Sequence, residues 1–178
     1  MTDQEKWTDA VMVVRREYSE LSEKARTDLA GMAHALGLEK LQLHSLTAEM
    51  GAERLCADCM GACCRSGKYH FSVVDLLVFL SSGKEVVIPS FRADCCPYMG
   101  KDGCQMKPSF RPFPCITFCC EELHALMAPE AAERLSAFEK RVRTCYRQIE
   151  SYFDKPLMKS LLISYEGYLS DPARGMIR

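Results

Sequence analysis

Cys56-Ala57-Asp58-Cys59-Met60-Gly61-Ala62-Cys63-Cys64 is the first of two stretches that decide how this chain is read. The second starts at Cys95-Cys96-Pro97-Tyr98-Met99 and passes Gly103-Cys104. It then reaches Arg111-Pro112-Phe113-Pro114-Cys115, with Cys119-Cys120 just beyond. Ten of the eleven cysteines lie between positions 56 and 120, so sulfur is concentrated in the middle third of the chain. Cys56-x2-Cys59 has the short spacing that lets two sulfurs meet one ion on a tight turn. Cys63 and Cys64 add candidates one turn later, and Gly61 permits the sharp backbone between them. Cys96, Cys104 and Cys115 come from a distant segment, so a shared metal would clip two parts of the chain together. The candidate metal ligands are therefore Cys56, Cys59, Cys63, Cys64, Cys96, Cys104 and Cys115.

Structural zinc takes four thiolate or imidazole ligands, and iron–sulfur clusters commonly take four cysteines. Seven candidates exceed one such site. One zinc with spare thiols, one cluster with spare thiols, and two metals all remain open. A zinc held by four thiolates carries a net charge near −2, which favours a cation nearby. Arg65 and Arg111 are the candidates for that role. His124, just past Cys120, is the histidine best placed to add a nitrogen ligand. His34, His44 and His70 read as ordinary surface or core residues. Cys145 lies on the apolar stripe of a helix and reads as core.

The rest of the chain reads as helix. Trp7, Val11, Val14, Tyr18, Leu21, Ala25 and Met32 are spaced by three or four over most of their length, with Leu29 taking over at Asp28. This predicts an amphipathic helix from Trp7 that ends in the thirties, near Gly31 and Gly37. A second helix is expected over Glu39 to Leu55. Ser72-x-x-Asp75 is a capping-box pattern opening a short apolar helix from Val73 to Leu80, which Ser81-Ser82-Gly83 closes. Val86 to Pro89 fits a short strand or an extended segment. Residues 90–114 are rich in proline and glycine and read as irregular chain, which a bound metal would order. Helix resumes from Phe118 to Met127, then again after Pro129. Leu135, Phe138, Val142, Cys145, Ile149 and Tyr152 mark a long helix able to pair antiparallel with the N-terminal one. A last helix is expected over Pro156 to Leu169.

The fold class that follows is mainly α: long amphipathic helices flanking an irregular, cysteine-rich, metal-binding core. It is read as a single domain over 1–178, with an N-terminal helical part (1–54), a cysteine-cluster core (55–120) and a C-terminal helical part (121–178). The helical seams also admit a homodimer.

A hydrophobic content of 48% is enough to bury a core, and a net charge of −1 leaves no basic stripe for nucleic acid. The N-terminus lacks a basic start followed by an apolar run, and Leu76 to Leu80 is far too short to span a membrane. The expectation is a soluble cytoplasmic protein without nucleic-acid or membrane partners. In that compartment thiols stay reduced, and dense cysteine points to metal or redox chemistry rather than structural disulfides. No nucleotide-binding, nucleophile-elbow or HExxH signature is present. Glu121-Glu122 beside the cysteines would suit a metal-bound water, and suits a helix N-terminus equally well.

These residues resemble the zinc- or iron-chelating cysteine-cluster domain family (YkgJ-like). Its pattern has a CxxC-type opening ending in CC, a CPF/YL-like segment, a cysteine, and RP-x2-C. It maps onto Cys56, Cys59 and Cys63-Cys64, then Cys96-Pro97-Tyr98-Met99, Cys104, and Arg111-Pro112 with Cys115. The resemblance covers about Leu55 to Cys120. Three residues separate Cys59 from Cys63 where two are usual, and the Cys104–Arg111 interval is one residue longer. Cys95, Cys119 and Cys120 are additions. What the resemblance implies is chelation of zinc or iron, the latter also as an iron–sulfur cluster. The alternative it implies is an iron–sulfur enzyme or accessory factor, through related clusters in flagellin lysine-N-methylases and their protein methyl transfer.

Overall fold

The computed structural model describes residues 1–58, 62–92, 95–101 and 103–178; the side chains of residues 57, 62, 63, 65 and 66 also lie outside this description. Cys59, Gly61, and the side chains of Cys63 and Arg65 therefore fall outside the described residues.

The chain is mainly helical. Helix α1 (Asp3–Ser19) and helix α2 (Glu23–Glu49) lead into the short α3 (Ala52–Asp58). A 3-10 helix, Ala62–Tyr69, precedes α4 (Val73–Ser81). A two-residue hairpin, β1 (Met99–Gly100) and β2 (Gly103–Cys104), pairs Met99 with Cys104 and Gly100 with Gly103. A 3-10 turn, Pro108–Phe110, leads to α5 (Phe113–Thr117) and α6 (Glu121–Ala125). The long α7 (Pro129–Phe153) and α8 (Leu161–Ser170) complete the order.

The helix boundaries of the first third differ from the sequence expectation. The break comes at residues 20–22, where Ser22 Oγ accepts the Ala25 amide and caps α2. Arg26 donates to the Ser19 and Leu21 carbonyls and so caps the preceding helix end. Helix α2 then runs straight through Gly31 and Gly37. Gly37 faces the Pro108–Phe110 turn, where an added Cβ would lie 3.8 Å from the Ser109 Cβ. The helix is held by packing on α4 and α7, which outweighs the propensity cost of two glycines.

Helix α7 lies antiparallel to α2: Arg141 Nε donates to Glu39 at 2.8 Å and the Tyr152 hydroxyl to Asp28 at 3.3 Å. The expected antiparallel pairing thus uses the second helix, not the first. The seam of α1 (Trp7, Val11, Val14) is buried, and α1 packs on α4 and α8. The capping box at Ser72 and Asp75 is present, and α4 is buried from Val73 to Phe79. Residues 84–90 form no strand, and Val86 and Pro89 of this segment are buried. One apolar cluster joins α1, α2, α4, α7 and α8 with Cys96, Tyr98, Met106 and Ile116 of the cysteine-bearing segment. The last residues are strapped down by Glu17, which is 3% exposed and accepts the Met176 and Ile177 amides. Among the described residues no helix is long and apolar enough to cross a membrane.

Gly31 has open space where a Cβ would stand. Gly31→Ala is expected to raise stability by about 0.5–1 kcal/mol by removing glycine's entropy cost in a helix interior, read as a higher urea midpoint at unchanged slope.

Candidate metal centre

A cavity of about 410 Å³ opens between α2, α3 and the segment from Cys96 to Leu123. Cys56, Cys64, Cys96, Cys104, Cys115 and Cys120 all line it. Five of the seven candidate ligands thus face one space, and the other two, Cys59 and Cys63, lie outside the described residues. Each arrives on a different element. Cys56 is on α3, Cys64 on the Ala62–Tyr69 helix, Cys96 in the turn before β1, Cys104 on β2 and Cys115 on α5. Cys120 stands at the N-cap of α6. Among the described residues no three histidine, cysteine, aspartate or glutamate side chains converge tightly enough to enclose an ion. Cys56 and Cys104 stand exposed, while Cys96 is 8% exposed.

The environment of the inner sulfurs is specific. The Tyr98 and Met99 amides donate toward the Cys96 sulfur, opposing the burial that pushes this thiol up. Gly67 makes room for it: a Cβ there would lie 2.7 Å from Cys96 Sγ. Burial pushes the Cys115 thiol well up, and the fields of Cys96, Asp75, Cys64 and Cys104 act in the same direction. His70 Nδ1 lies 3.3 Å from Cys115 Sγ. Thiols crowded this way resist ionising together without a cation, whereas a bound dication deprotonates a coordinating thiol outright. The donor set of soft sulfurs, with amides already aimed at one of them, fits zinc or iron.

Arg111, expected as a charge partner, lines the cavity and is fixed by donation to the Met106 carbonyl at 3.2 Å. His44 lines it too, facing Glu53 at 3.4 Å; burial and Arg111 both lower its pKa. His124, favoured by sequence, is exposed on α6 and is not among the lining residues. Cys119 is half-buried, and burial with the fields of Cys120 and Cys56 raises its pKa. Cys145 packs against the core, as its helical stripe predicts.

Behind Cys115 sits a polar cluster that hydropathy did not reveal. Lys40 (0% exposed), Asp75 (1%) and Tyr146 (1%) come from α2, α4 and α7. The Lys40 ammonium lies 3.4 Å from Asp75 Oδ1 and 4.9 Å from the Tyr146 ring centre, and the Tyr146 hydroxyl donates to the same Oδ1. The other oxygen accepts the Ser72 amide at 2.9 Å and the Ser72 hydroxyl at 2.6 Å. Four donors thus converge on one carboxylate. Burial drives the Lys40 pKa down, and Asp75 pulls it back up. Tyr146 is pushed well up by burial and by Asp75. Asp75 and Lys40 both lie within the electrostatic reach of Cys115. Phe113, two residues before Cys115, packs edge-on against Tyr146 at 5.5 Å.

Comparison of the chain with models of protein families, with curated proteins and with solved structures found no match.

Lys40→Met leaves Asp75 without its cation and is expected to cost about 3–5 kcal/mol. Tyr146→Phe, which removes one donor, is expected to cost about 1–3 kcal/mol. The double variant should fall short of the sum in chemical denaturation, because both act on one carboxylate.

Proposed function

We propose that this chain is a metal-binding protein that chelates zinc or iron through thiolates of two segments. One segment supplies Cys56, Cys59, Cys63 and Cys64; the other supplies Cys96, Cys104 and Cys115. The observation that carries this reading is the common cavity onto which five of these sulfurs open from five separate elements. Sulfurs 59 residues apart in sequence, Cys56 and Cys115, would be tied to one centre. Metal binding is then coupled to folding, because the hairpin, the Pro108–Phe110 turn and the short helices around it are too small to be stable alone. The resemblance to the YkgJ-like cysteine-cluster family points the same way. Dense cysteine itself suits a reducing cytoplasmic compartment.

A second reading is favoured by the size of the site. Six cysteines around about 410 Å³, with Leu55, Met99, Ile116 and Phe118 among the apolar lining, offer more sulfur and space than one zinc requires. That suits an iron–sulfur cluster with room for a ligand beside it. An iron–sulfur enzyme or accessory factor, of the kind linked to protein methyl transfer, is the function this would serve.

Stripping the metal is expected to lower the thermal midpoint by well over 10 °C and to expose the 90–120 segment to protease, while the α2–α7 pair keeps most of its helicity. A shift of about 4–8 °C accompanies each kcal/mol in a domain of 60–100 residues and about 2–4 °C in one of 150–250 residues. An unchanged midpoint after complete chelation, verified by elemental analysis, would show that no metal supports this fold.

A further inference from the structure

We propose that His70 is a nitrogen ligand of the metal held by Cys115, making the centre a mixed imidazole–thiolate site; this rests on the metal reading above. Its sequence position, isolated between the first cysteine stretch and a helix cap, gives no hint of this. The geometry does. His70 Nδ1 and Cys115 Sγ stand 3.3 Å apart across 45 residues of chain. Two ligands on one tetrahedral zinc, at 2.0–2.1 Å for nitrogen and 2.3 Å for sulfur, are separated by about 3.6 Å. The observed pair is within a few tenths of an ångström of that edge.

The spacing is imposed by the backbone on both sides. The His70 amide donates to the Gly67 carbonyl at 3.1 Å, closing the helix that carries Cys64. The next residue, Phe71, is 1% exposed, and its carbonyl accepts the Leu161 amide at 2.7 Å. Ser72 follows, locked to Asp75. Opposite, the Cys115 amide donates to the Pro112 carbonyl at 3.0 Å in the first turn of α5. Gly67, three residues before His70, is the position whose missing Cβ leaves room for the Cys96 sulfur. His70 is thus set beside the Cys115 sulfur by elements that do not depend on the side-chain pair itself. His44 lines the cavity but faces Glu53, and His124 is exposed on α6; His70 is not a lining residue, and reaches the centre through its contact with the Cys115 sulfur. A neutral imidazole is a common zinc ligand and pairs readily with thiolates.

The test uses the full-length protein with its metal exchanged for Co²⁺, whose visible bands report the sulfur and nitrogen ligands. Wild type, His70→Ala and His70→Cys are compared for metal per chain, spectrum and affinity, with circular dichroism of each apo form as the folding control. His70→Ala is expected to lose more than about 100-fold in affinity, beyond the 10–100-fold typical of an outer hydrogen-bond partner. His70→Cys is expected to restore binding with bands shifted toward an all-sulfur environment. A folded His70→Ala protein that keeps the wild-type spectrum and stoichiometry overturns the assignment and leaves His70 as a hydrogen-bond donor to Cys115. If the alanine variant does not fold, a cysteine variant with an unshifted spectrum overturns it equally. Wild-type protein that takes up no Co²⁺ or Zn²⁺ removes the metal reading itself, and this assignment with it.

Discussion

The Asp75 carboxylate is the point on which the rest of the structure turns. It receives the Ser72 amide and hydroxyl, the Tyr146 hydroxyl and the Lys40 ammonium, so a single anion joins α2, α4 and α7 at the centre of the core. A buried ion pair is a poor source of net stability, since removing two charges from water costs several kcal/mol per ion. Its contribution is register. Helices α2 and α7 present long apolar stripes that could slide against each other, and one satisfied polar cluster selects the alignment in which Lys40 and Tyr146 reach the same oxygen. That alignment brings Phe113 against Tyr146, and with it Cys115 to the cavity.

The electrostatics of the centre follow from this placement. Cys96, buried among other sulfurs, and Cys115, half-buried among sulfurs and near the Asp75 carboxylate, stand in surroundings that disfavour thiolate. Lys40 and Arg111 are the cations close by, one buried behind Cys115 and one in the cavity wall. A divalent ion would complete the balance: it makes the thiolates favourable, and these two cations offset the net negative charge of a thiolate-rich site. Asp75 then serves two systems, as cap and anchor of α4 and as part of the field that Cys115 feels.

Much of this was legible in the sequence, and what was not has identifiable causes. The Ser72-Asp75 capping box could be read because its partners are three residues apart; that Asp75 also holds Lys40 could not, because a lysine on a helix reads as solvent-facing. The α1–α2 break was missed because Ser22 and Arg26 cap it without glycine or proline, while Gly31 and Gly37, the usual stop signals, sit inside a helix secured by packing. The hairpin of Met99–Gly100 and Gly103–Cys104 was not read from sequence because its strands are too short to show alternation. Of the seven candidates grouped by spacing, five open on one cavity. Cys120 joins them because α6 starts there. His124 is exposed and off the cavity wall, whereas His70, 45 residues from Cys115 in sequence, stands against its sulfur, a proximity that chain position does not reveal.

The central claim is that the cysteine-rich middle of this chain holds a metal. Anaerobic purification of the full-length protein, followed by zinc, iron and acid-labile sulfide per chain with the visible spectrum, tests it most directly. The account predicts at least one zinc or iron per chain, retained through gel filtration and lost when Cys96 and Cys115 are both replaced by serine. Protein that emerges folded and metal-free, and takes up neither ion when offered, would contradict it.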